Sequence, residues 1–260
     1  MNTINNSSFS FADYFGDSPV HNCAEEGHVD TMRLLLERKP DLTQRNGLGR
    51  TPLHLAAMKG HLKMVTLLLE SPQSYKPTPE APYPPPTAEE IAVVKYPSEL
   101  PKAVLVDKQT NNRYTPLHLA IVGEHIEVVG KLLEYTLNPN IQNTRMETAL
   151  HIAVQRGNLE IVRLITRKID QRNQTAGQRN MNEWTPLQLA CRHNLPTIVQ
   201  LILPFSESPI IPGDLGPACA YKIAKSRRHT ECARVIEDFL NDKGIEVPTY
   251  GHFQDLEQLE

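Results

Sequence analysis

A six-residue pattern returns along this chain at a nearly constant interval, and that recurrence limits what the chain can fold into more than any other feature. Thr51-Pro-Leu-His-Leu-Ala56, Thr115-Pro-Leu-His-Leu-Ala120, Thr148-Ala-Leu-His-Ile-Ala153 and Thr185-Pro-Leu-Gln-Leu-Ala190 are close copies, and Ser18-Pro-Val-His-Asn-Cys23 is a weaker one. Ser18 lies 33 residues before Thr51, and Thr115 lies 33 before Thr148. Threonine or serine suits a helix N-cap and proline suits the first helical turn, so each copy predicts the start of a short helix. A unit repeated in register at this period predicts a stack of small modules, each burying its apolar face against its neighbours.

The pattern extends beyond the hexapeptide. Five residues before each Ser or Thr stands Asp13, Asn46, Thr110, Asn143 or Asn180, short polar residues whose side chains close tight turns. Gly27, Gly60 and Gly157 predict the ends of first helices. A second helix is predicted after each, over stretches such as His28–Leu36, His61–Leu69 and Asn158–Ile165, where apolar residues recur at helical spacing. A degenerate sixth copy follows Asp214, with Lys222 at the histidine position and Arg228 at the glycine position; a polar last repeat suits the open end of a stack.

With its period and Thr-Pro-Leu-His-x-Ala signature, the chain resembles the ankyrin-repeat family. The resemblance implies an all-α solenoid of about six helix-turn-helix repeats with β-turn fingers, over about 13–45, 46–109, 110–142, 143–179, 180–213 and 214–240. Residues 1–12 are expected to be a flexible lead-in and 241–260 an acidic tail. Asn46 to Thr110 is 64 residues, so the second repeat carries an insertion of 31, from Ser71 to about Lys102. Its proline density favours an extended, solvated path, and Thr87-Ala-Glu-Glu90 could cap one short helix. The insert reads as a spacer or strap, or through Lys76-x-x-Pro79-x-x-Pro82 as a ligand for an aromatic groove.

A net charge of −3 offers no footprint for a phosphate backbone, so nucleic acid is not an expected ligand. The N-terminus lacks the charged start and apolar run of a signal peptide, and no apolar run approaches a membrane span. A soluble, cytoplasmic monomer away from membranes is expected. Cys23, Cys191, Cys219 and Cys232 have neither disulfide nor metal spacing and read as reduced, packed thiols.

His21, His54, His118 and His151 sit at one position of successive repeats. Side-by-side helices lie about 8–10 Å apart, whereas zinc ligands must each reach within about 2.1 Å of one ion, so the row predicts a structural role and no metal site. His21/Cys23 and Cys191/His193 are two residues apart on predicted helices and face different sides, which excludes a nucleophile–base pair. The chain has no Gly-rich phosphate loop, His-Glu-x-x-His or Gly-x-Ser-x-Gly. No enzyme activity, catalytic residue or cofactor is expected.

The resemblance implies binding of a partner protein through finger tips and the exposed side of first helices, lining a concave groove. Carried over by position, the tips include Tyr14, Phe15, Asp17, Leu48, Arg50, Asn112, Tyr114, Arg145, Glu147, Asn182 and Trp184. The helix positions are Glu25, Glu26, Met58, Lys59, Val122, Gln155, Arg156, Arg192 and His193. Tyr14, Phe15, Arg50, Met58, Lys59, Tyr114, Glu147, Gln155, Arg156, Trp184 and Arg192 are the expected contacts, since aromatic and arginine side chains dominate interface energies. Tyr14 and Phe15 could equally cap the open end of the stack, and the aromatics could pack over neighbouring turns. Arg113, Met146 and Glu183 replace the glycine of Gly16 and Gly49, which predicts tilted tips in those fingers. A non-enzymatic scaffold or inhibitor is the expected function; the resemblance also permits a regulator that sequesters a transcription factor in a nuclear pool, or a bacterial effector acting in host cytoplasm.

Overall fold

The computed structural model describes residues 13–71, 105–206 and 217–245. The expected lead-in, the insert beyond Ser71, the start of the sixth repeat at Asp214 and the tail from 246 onward lie outside the described residues. Among the described residues there are twelve α-helices and no β-strand. The chain divides into two compact units, Met1–Thr144 and Arg145–Glu260.

Among the described residues the first unit has the helix pairs α1 (Pro19–Glu26) with α2 (Val29–Glu37), α3 (Pro52–Lys59) with α4 (Leu62–Glu70), and α5 (Pro116–Val122) with α6 (Ile126–Tyr135). Helix α3 packs between α1 and α5, and α4 against α6. The second unit contains α7 (Ala149–Arg156) with α8 (Leu159–Gln171), α9 (Pro186–Arg192) with α10 (Pro196–Ile202), and α11 (Pro217–Ser226) with α12 (Thr230–Asp242). Here α9 packs between α7 and α11, and α10 between α8 and α12.

The first helices of the first five repeats start as their sequence dictates. The capping Ser or Thr is extended, as at Thr115 with φ −86° and ψ 164°, and side chains close the box to the residue three positions on. First helices are nearly engulfed, because a second helix covers one side and neighbouring first helices the flanks. Ala56, Ala120, Ala153, Ala190 and Ala224, one position in five repeats, are each 0% exposed. A larger side chain there would force the helices apart. Second helices bury one stripe, such as Val128, Val129, Leu132 and Leu133 in α6. Each such side chain contributes roughly 1.5–3 kcal/mol through burial.

First helices end in a left-handed residue, after which the next N–H reaches back five residues. His28 donates to the Cys23 carbonyl, His61 to Ala56 and His229 to Ala224. Gly27, Gly60 and Gly157 supply the positive φ, but Glu124, Asn194 and Arg228 adopt it at the equivalent positions at 58°, 55° and 59°. An L-residue pays roughly 1–2 kcal/mol there, partly offset by the greater chain entropy that glycine loses. Glu124→Gly is therefore expected to stabilise the first unit by about 0.5–1 kcal/mol, visible as a higher urea midpoint with unchanged slope.

Candidate protein-binding surface

The fingers are built by the short polar residue at their base. The Asp13 carboxylate accepts from the N–H groups of Phe15 and Asp17, each at 2.9 Å. The Asn46 side-chain oxygen does the same for Leu48 and Arg50 at 3.0 and 2.8 Å, and that of Asn180 for Asn182 and Trp184, each at 3.0 Å. In the third finger the Thr110 hydroxyl accepts from Tyr114 N–H.

Arg113, Met146 and Glu183 take φ of 58°, 57° and 61°, in the same left-handed region as Gly16 and Gly49. The expected tilt is therefore not found. Backbone bonds between successive tips hold the conformation: within the first unit Gly47 N–H donates to the Phe15 carbonyl, Asn111 to Leu48 and Thr144 to Asn112, and within the second Met181 donates to Arg145.

His21, His54 and His151 each join the start of their helix to the next finger. Nδ1 of His54 accepts from Thr51 N–H at 3.1 Å, while Nε2 faces the carbonyls of Lys108 and Tyr114, each at 3.1 Å. Two acceptors at Nε2 require the proton there, which leaves Nδ1 to accept. His21 repeats the arrangement against Gln44 and Arg50, and His151 against Trp184. Burial, assisted by the charges of Arg45 and Arg50, holds the His54 pKa at about 3 despite the two carbonyls. Burial also lowers His21 and His151.

A second histidine row was missed in the sequence. His61 Nε2 donates to the Glu25 carbonyl at 2.9 Å and His125 Nε2 to that of Met58 at 3.1 Å. His229 Nδ1 donates to Cys191 at 2.8 Å. Each ring caps the last carbonyls of the preceding first helix. The signal was available: these histidines follow the left-handed residue directly, at one position of their repeats.

A family model described as ankyrin repeats in three copies matches residues 2–78 and 131–211, and another, described as ankyrin repeats in many copies, matches 103–153. The chain belongs to the ankyrin-repeat family. Over 104 residues, 40% of this chain and 9% of the relative, it is 32% identical to inversin of Canis lupus familiaris. Over 97 residues, 36% of this chain and 31% of the relative, it is 34% identical to NF-kappa-B inhibitor alpha of Sus scrofa. Over 130 residues, 50% of this chain and 11% of the relative, it is 31% identical to the human transient receptor potential cation channel subfamily A member 1. The chain thus spans a third or less of the length of these relatives. A solved ankyrin repeat domain from Acinetobacter baumannii superposes with a TM-score of 0.63 at 18% identity, covering 85% of this chain and 96% of that one; it carries the fold alone.

Ankyrin repeats generally mediate protein–protein interaction, and the expected contacts other than Glu147 fall into three groups here. Tyr14 and Phe15 are 98% and 69% exposed, their rings edge to face at 5.6 Å. Gln155, Arg156 and Arg192 are exposed, as is Lys59, which pairs with Glu25 at 3.1 Å. Arg50, Met58, Tyr114 and Trp184 are half-buried. The Tyr114 ring stands edge-on to His118 at 5.9 Å, and the Arg192 guanidinium lies over Trp184 at 5.1 Å. Trp184 is therefore less accessible than its turn position predicts.

Glu147 departs furthest from expectation. It is 7% exposed, and its carboxylate accepts from Gln155 Nε2 at 2.9 Å. The residue preceding the capping threonine lays its side chain along its own first helix, so Glu147 orders Gln155 instead of standing free at a tip. Conversely, Leu48, a tip position outside the expected contacts, and Met146 and Met181, named in neither set, are 56%, 45% and 63% exposed. Among the described residues no group of three His, Cys, Asp or Glu side chains assembles as metal ligands do, and no helix is long and apolar enough to cross a membrane.

Proposed function

We propose that this ankyrin-repeat chain is a non-enzymatic protein-binding module whose contact surface is formed by its finger tips and the exposed ends of its first helices. The observation that carries this reading is the set of large side chains left at the tips: Tyr14, Phe15 and Leu48 in the first unit, and in the second Met181 and the Arg192–Trp184 stack. The fold does not need them outside, and large exposed apolar groups are characteristic of contact surfaces. Cys23, Cys191 and Cys232 are buried, and Cys23 and Cys232 are free thiols, which supports a reducing, cytoplasmic setting. A second reading, a sequestering inhibitor, is favoured by the likeness to NF-kappa-B inhibitor alpha.

Affinity capture from lysate tests the surface, using the native chain, Trp184→Ala and a control, Arg163→Ala, on the exposed side of α8. Trp184→Ala is expected to cost about 1 kcal/mol of stability, because the ring is half-buried under Arg192. It should weaken a captured protein by about 2 kcal/mol or more, while the control binds normally. A captured protein indifferent to Trp184→Ala and to Tyr14→Ala with Phe15→Ala would move the interface away from the fingers.

A further inference from the structure

In the second unit, the ends of successive first helices are basic. Arg156 ends α7, Arg192 ends α9 with His193 beside it, and Arg227 and Arg228 follow α11. All five side chains are exposed. Among the described residues none of the four arginines has a carboxylate within ion-pair distance, whereas Arg179 pairs with Glu183, Lys225 with Glu237 and Arg234 with Glu231. The charges converge. Partial desolvation and then the positive charges of Arg192 and Arg227 keep His193 below the ordinary histidine range. Equivalent positions in the first unit carry Glu25 and Glu26, Met58 and Lys59, and Val122 and Gly123, so the fold itself does not require cations there.

We infer that this face of the second unit docks an extended acidic peptide segment of the partner protein. The inference rests on the protein-binding reading above and names the chemistry of the partner. Arg192 is the centre: its guanidinium lies over Trp184, which orients the fork and leaves its N–H edge for a carboxylate. Helix α9 packs between α7 and α11, so three first helices at about 10 Å spacing place the outer arginines roughly 20 Å apart. An extended strand rises about 3.3 Å per residue, so about six residues bridge the row and alternate side chains face it. A short acidic peptide suits this footprint better than a nucleic acid, whose continuous phosphates would meet a chain of net charge −3.

Fluorescence anisotropy decides it, using a labelled peptide of about ten residues with glutamate at alternate positions around a central leucine, its glutamine counterpart, and a single-stranded DNA of similar length. The glutamate peptide should bind at least about tenfold more tightly than the glutamine peptide, and binding should weaken as salt rises from about 50 to 300 mM. Arg192→Glu and Arg227→Glu should each lower its affinity by about tenfold or more, with an unchanged melting curve for Arg227→Glu and only the small loss of the Trp184 stack for Arg192→Glu, while Arg163→Glu on α8 should not lower it. Equal binding of both peptides, no binding of either, or tighter binding of the DNA would each overturn the proposal. If a captured protein is lost on Trp184→Ala but retained by Arg192→Glu and Arg227→Glu, the acidic-segment inference fails while the protein-binding reading stands.

Discussion

Lowering the pH from 7 to about 4.5 is expected to remove roughly 2–3 kcal/mol of stability from the first unit through His54 alone. Its folded-state pKa is about 3, against about 6.5 for an unfolded histidine. Between those values the unfolded chain binds a proton that the folded chain refuses. The stability is fully present above pH 6.5 or so, declines through this window and levels off below the folded pKa. His21 and His151, lowered in the same direction by burial, add to the loss in their own units. The fifth repeat supplies the control. Gln188 takes the histidine's place at Thr185, accepting its N–H at 2.9 Å without a titrating ring. His54→Gln should cost about 1–2 kcal/mol at pH 7, from the carbonyl bonds of Nε2, and should flatten the pH dependence. Urea titrations of both chains at pH 7 and pH 4.5 measure this, and parallel pH profiles would show that His54 is not the acid-sensitive group.

Gly60→Ala is expected to destabilise the first unit by about 2–4 kcal/mol, far more than the same change at Gly244. Both glycines are left-handed, at φ 78° and 68°. A Cβ at Gly244 would meet nothing within 4 Å, whereas at Gly60 it would overlap the His125 ring. That ring cannot step aside without breaking its bond to the Met58 carbonyl. Gly244→Ala therefore measures the backbone cost alone, and the excess at Gly60 measures the packing. Adding His125→Ala to Gly60→Ala should recover part of the excess. Equal losses at Gly60 and Gly244 in thermal or urea unfolding would mean that the imidazole does not hold the repeats together.

The elements legible from sequence are those whose cause lies within a few residues. Asn46 and Asn180 bond their own turns, Thr115 bonds the helix it starts, and the apolar stripe of α6 has the period of the helix that buries it. Local chemistry repeated every 33 residues or so determined the helix pairs, their fingers and the inward-facing histidines. Tertiary structure decided whatever depends on the next repeat. Met146 and Glu183 keep the glycine conformation because Met181 is tied to Arg145 across the turns, and His125 finds its acceptor at Met58, 67 residues away. Burial of Glu147 against Gln155, the stack of Arg192 on Trp184 and the convergence of arginines in the second unit likewise depend on side-chain directions and neighbouring helices. Residue type and position marked these side chains as candidates; which of them remained at the surface was settled only when stacked repeats competed for the same space.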